Sequence, residues 1–134
     1  MTGQRVATAA GMKRANAILA LKASGAETAN TTGSAFDTGE CNTLYVQVDV
    51  TAASGTTPTL TVVVEGSNDN SNYFVLATIG SNGGAVGAVG TAPANFTTTG
   101  TARCAVPAAQ WVRYRSVITG TTPSFTYSVT GELN

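Results

Sequence analysis

Apolar and polar residues alternate along most of this chain with a period of two. In "LYVQVDV", Leu44, Val46, Val48 and Val50 take turns with Tyr45, Gln47 and Asp49, as in a strand with one buried face. Leu60, Val62 and Val64 repeat the pattern, and so do Phe125, Tyr127 and Val129. In "QWVRYRSVI", Val112, Tyr114, Ser116 and Ile118 alternate with Trp111, Arg113, Arg115 and Val117. "TARCAV" reads as a further strand, with Ala102, Cys104 and Val106 on its apolar side. "YFVLATIG" is apolar on both faces and predicts a central or covered strand, while "ILALKAS" and "GSAFDTG" read as two short ones. "GSNDNSN" is a turn, built from residues that tolerate left-handed backbone and bond their own main chain.

One stretch occurs twice. "GTTPTLTVVVEG" at residues 55–66 returns 65 residues later as "GTTPSFTYSVTG" at 120–131. Each copy follows an alternating strand, so the reading is two similar β-hairpins, with Gly-Thr-Thr-Pro as the connecting turn and Pro at the strand's mouth. A lone hairpin with one apolar face is not stable in water. Packing the two faces together predicts an all-β fold, a two-sheet antiparallel sandwich of jelly-roll or Ig-like type with about eight strands. The sandwich is expected over residues 18–134, preceded by an N-terminal arm over 1–17 that carries Arg5, Lys13 and Arg14. The Gly-rich segment from Gly80 to Gly100 reads as a long loop, a length that often carries function.

Composition strengthens this picture. A chain of 134 residues supports a single domain with its own core. Only 10% of residues are charged, against about 25% in an ordinary soluble domain. Thr takes much of their place, with 23 copies, and its β-branched side chain suits a pleated surface. Net charge is zero and the seven basic residues are scattered, so there is no basic stripe for nucleic acid. No apolar run approaches the roughly 18 residues of a membrane span. Lys22 cuts the N-terminal apolar stretch "ILAL" after its four residues, too short for a secretory signal. The expectation is synthesis in a cytoplasm without export by that route.

Candidate chemistry is sparse. The chain has no histidine, which removes the commonest general base and the histidine-bearing metal sites. Cys41 and Cys104 stand far apart and read as two small buried thiols. Asp49 and Glu65 fall on the polar faces of strands expected to be neighbours, where two carboxylates could serve a glycosidase. Arg113 and Arg115 occupy the equivalent face of the other hairpin, so cross-strand ion pairs are the ordinary reading. "GSNDNSNYF" partly matches an Asp-box or a calcium loop, but Ser71 replaces the Asp-box Gly and no Glu closes a calcium loop. "GGAVGAVG" lacks the ending of a phosphate cradle. The sequons at Asn30 and Asn95 match by pattern only. No catalytic residue, metal or cofactor is implied. Trp111, the single tryptophan, reads as a half-buried edge contact, with a binding platform or a subunit interface as the alternatives.

From "LYVQVDVTAASGTTPTLTVVVEGSNDNSNYF" to "WVRYRSVITGTTPSFTYSVTG" the chain resembles small β-sandwich virion proteins of tailed bacteriophages. The resemblance rests on the polar turn after "VEGS", the aromatic after it and the Thr-Pro strand openings. It implies a structural role in the virion, without enzymatic activity. The expected part is a capsid decoration (cement) protein that binds the major capsid protein and copies of itself. Arg5, Lys13, Arg14 and Trp111 are the candidate contacts. The alternatives are a tail- or fibre-associated module that recognises host glycans through Trp111, Tyr45 or the Gly-rich segment, and a tail-tube or connector subunit.

Overall fold

Two strands of exceptional length organise the molecule. A computed structural model of the chain describes residues 17–87 and 93–134, and every regular element among them is a β-strand. The strands are β1 (Ala17–Glu27), β2 (Phe36–Asp37), β3 (Thr43–Ser67), β4 (Tyr73–Gly80), β5 (Gly83–Val86), β6 (Gly100–Pro107) and β7 (Trp111–Leu133). These seven stand against about eight expected, because β3 and β7 each run unbroken through a Gly-Thr-Thr-Pro segment. Of the arm expected over 1–17, only Ala17 lies among the described residues, and it opens β1.

The two repeats do not form two hairpins. The antiparallel partner of β3 is β7 along its whole length: Leu44 pairs with Leu133, Val48 with Val129, Leu60 with Ile118 and Ser67 with Trp111. "LYVQVDV" therefore lies beside the second repeat and "WVRYRSVI" beside the first. The 65-residue offset maps pairs onto pairs: Leu60–Ile118 onto Phe125–Ala53, and Thr59–Thr119 onto Ser124–Ser54. The repeat in sequence is a two-fold in strand register.

Where the two copies cross, both strands bend. A straight strand of 25 residues would span about 80 Å at ~3.3 Å per residue, far wider than a compact domain of this size. The bend is written identically in both copies. Gly55 and Gly120 take φ of 113° and 122°, and Thr57 and Thr122 take 47° and 46°, a left-handed conformation that is rare for a β-branched residue. The β3–β7 ladder skips from Thr56 to Thr59, so Pro58, with no N–H to give, falls in a gap. A Cβ on Gly55 would lie 2.7 Å from the Thr122 carbonyl oxygen and 2.9 Å from Pro123 Cα. One on Gly120 would lie 2.9 Å from Pro58 Cα. Each glycine lets the other repeat's backbone pass at close range.

Bending a paired ribbon gives a sandwich from one hydrogen-bonded sheet. The first layer is β1, the C-terminal half of β7, the N-terminal half of β3, and β6; the second is β2, the other halves of β7 and β3, then β4 and β5. Val46, Val48, Phe125, Tyr127 and Val129 of the first layer share one buried cluster with Leu60, Val62, Val64, Ile79 and Val112 of the second. Leu60 and Phe125, equivalent in the two repeats, are both fully buried in it. The "YFVLATIG" strand is β4, flanked by β3 and β5. The Gly-rich segment is not a structureless loop throughout: β5 pairs with β4, and buried Phe96 exchanges backbone bonds of 2.8 and 2.9 Å with Leu60.

Candidate functional site

The bend decides which polar residues share a surface. Asp49 and Glu65, expected on neighbouring strands, lie on halves of β3 that belong to different layers. The Asp49 carboxylate accepts from the Thr101 hydroxyl at 3.0 Å. Glu65 pairs in register with Arg113 and accepts from Arg113 Nε and Arg115 Nε, each at 2.9 Å. The expected cross-strand ion pairs thus form, at Glu65 and not at Asp49. Arg113 also lies over the Tyr73 ring, 3.6 Å from its centroid, a cation–π contact. Val63, Glu65 and Ser67 are buried although they alternate with the core-facing residues of β3. This outer face of the second layer is covered by its own long side chains.

Trp111 stands at one end of that face, half-buried, between Asp37 of β2 and Ser67 of β3 in register. Arg5, Lys13 and Arg14 lie outside the described residues. The "GSNDNSN" turn uses up its own carboxylate. Asp69 Oδ1 accepts from the Asn72 and Ser71 amides at 2.8 and 2.9 Å and from the Ser67 hydroxyl at 2.9 Å, while Oδ2 accepts from Asn72 Nδ2 at 2.9 Å. These donors, the Asn72 amide foremost, hold the Asp69 carboxyl far below the usual carboxylate range. The geometry is a turn that satisfies itself.

A cluster that no local sequence signal marks lies between the layers. Half-buried Glu27, at the end of β1, accepts from the Tyr114 and Tyr127 hydroxyls, each at 2.6 Å, and from the Ser116 hydroxyl at 2.9 Å. Tyr127 belongs to the first layer and Tyr114 to the second, so one carboxylate ties both. Burial, then the bond to Glu27, pushes both phenols well above their ordinary value. Lys22 donates to the carbonyls of Gly25 and Tyr127 at 2.8 Å and of Ala23 at 3.2 Å, all three of its donors used. Its ammonium sits 4.2 Å from the Tyr127 ring centroid. Burial lowers its pKa, and the Glu27 charge opposes that shift. This is a clamp on an edge strand that carries two register shifts.

The outer face of the first layer is different. A shallow groove of about 520 Å³ runs over it, lined by Ile18, Tyr45, Gln47, Arg103, Thr130 and Glu132 above the backbone of β1, β3, β6 and β7. Tyr45 is 47% exposed and Ile18 72%. Arg103 Nε donates to Gln47 Oε1 at 3.0 Å. Cys104, beneath the groove, is free and half-buried, as is Cys41; full burial was expected of both. Burial raises the Cys104 thiol pKa, which makes it a weaker nucleophile at neutral pH.

Among the described residues no group of three or more Cys, Asp or Glu is placed to hold a metal ion, and no helix is long and apolar enough to cross a membrane. Comparison with known proteins finds no family model and no curated protein that matches this chain.

Proposed function

We propose that the chain is a non-enzymatic structural protein of a tailed-phage virion, a decoration protein seated on the outer surface of the major capsid shell as a small homo-oligomer. The observation that carries this reading is the use of charge. Glu65 is spent on two arginines, Glu27 on three hydroxyls, Lys22 on three carbonyls and Asp69 on its own turn. The exposed residues at the crossing are Thr51, Ala52, Ser54, Gly55, Thr56 and Thr57 on one strand and Thr119 to Thr122 on the other. A neutral surface of short side chains loses little hydration when a neighbour covers it and carries little self-repulsion to keep copies apart. Arg5, Lys13 and Arg14 would add attraction to an acidic shell. The resemblance to small β-sandwich virion proteins supports the same reading.

The test is the copy number per particle, measured by quantitative mass spectrometry of purified virions. Hundreds of copies are expected for a shell protein. A few to tens would move it to the tail or connector, and absence from particles would overturn the virion role altogether.

A further inference from the structure

The groove on the first layer combines features that the rest of the described surface separates, and we infer that it is a binding site for a neutral saccharide. Tyr45 offers an exposed aromatic face, and Ile18 an apolar wall beside it. The C–H faces of a sugar ring pack on such surfaces because an aromatic side chain is apolar across its face and polar at its tip. Next to them Arg103 Nε and Gln47 Oε1 are bonded to each other at 3.0 Å. That bond joins two planar side chains through one donor and one acceptor, and the Gln47 NH2 and the two Arg103 Nη groups are further donors of the same pair. A set of planar donors beside an aromatic face suits adjacent hydroxyls on a ring, and Thr130 adds a hydroxyl that both donates and accepts.

Charge and size narrow the ligand further. One cationic and one anionic side chain line the groove, so neither an acidic nor a basic ligand is selected. Its volume of about 520 Å³ lies within the range of small-molecule sites, about 300–1,000 Å³. The closed face of the second layer offers no equivalent. There the arginines are held by Glu65, and Arg113 is stacked on Tyr73. The site therefore belongs to Tyr45 and not to Trp111. It stands independently of the capsid reading, since a saccharide could be met on a capsid or on a tail.

The experiment is an amide-shift titration of the full-length protein with maltotriose, cellotriose and chitotriose at millimolar concentrations. At least one trisaccharide is expected to shift the amides of Tyr45, Gln47, Arg103 and Thr130 saturably. Tyr45→Ala and Gln47→Ala should each weaken that binding by about tenfold, equivalent to about 1.4 kcal/mol. Trp111→Ala should leave it unchanged. Both groove substitutions lie on the exterior, and the variants' own spectra report whether they fold. The inference is overturned if no probe moves the groove amides, or if Tyr45→Ala and Gln47→Ala bind as well as the parent. It is equally overturned if the same amides shift only with protein concentration, which would make the groove a contact between copies.

Discussion

The two outer faces of the sandwich treat similar residues in opposite ways. On the second layer a carboxylate sits between two arginines, one of them stacked on a tyrosine, and Glu65 is left only 8% exposed. On the first layer the single Arg103 leans on a neutral Gln47, and Tyr45 stays open. The closed face has both oxygens of its carboxylate and the Tyr73 ring engaged by its own arginines, so a partner that covered it would find no open acceptor or ring there. The open face presents donors beside an exposed apolar wall. Nearness of arginine and aromatic residues in the sequence therefore does not mark an interface; what matters is whether they are spent on each other.

Gly55→Ala attacks both faces at once, because the bend that separates them needs the close approach of the repeats. A Cβ there meets backbone at 2.7 Å and φ is 113°, so a loss of about 3 kcal/mol or more is expected in urea unfolding. Gly120→Ala should behave alike, since it holds the equivalent place in the other repeat. Glu65→Gln breaks only the closed face. Its arginine partners are 28% and 35% exposed, which tempers the cost of stranding them to about 2 kcal/mol, read as a lower urea midpoint.

Tyr114→Phe tests the tie between layers. The folded phenol ionises well above its ordinary 10.0, so the unfolded chain gives up that proton first and stability falls as pH rises past about 10. Lys22 acts in the opposite sense below its ordinary 10.5, because its lowered folded pKa makes the unfolded chain the tighter proton binder there. The alkaline decline should therefore be clearest above 10.5, and Tyr114→Phe should flatten its slope. Tyr45→Ala should change stability least, within about 0.5 kcal/mol, since its side chain is 47% exposed. A larger loss would mean that the open face is part of the core's support.

The alternation of Leu44 to Val50 and of Val112 to Ile118 was enough to name the strands, the shared core and the all-β class. Partnering was not legible. A hairpin within each repeat and a ribbon between repeats bury the same alternate residues, and Gly-Thr-Thr-Pro fits a reversal as well as a bulge. The choice rests on the fit of Gly55 against Pro123 and of Gly120 against Pro58, contacts between residues 68 and 62 positions apart in the chain. The error carried over to Asp49 and Glu65, placed on neighbouring strands in the sequence and in different layers by the fold. Glu27 gave no sign because its three hydroxyl partners lie 87, 89 and 100 residues away in the chain. Tyr45 was visible as an outward aromatic, but its neighbours Arg103 and Thr130 come from other strands.

Both faces exist only if β3 and β7 cross. Backbone nuclear Overhauser effects in labelled protein read that most directly. Contacts of Val48 with Val129 and of Leu60 with Ile118 are expected, as in the register of the ladder. Backbone contacts of Val50 with Leu60 and of Ile118 with Phe125 in their place would mean two separate hairpins and would contradict the account.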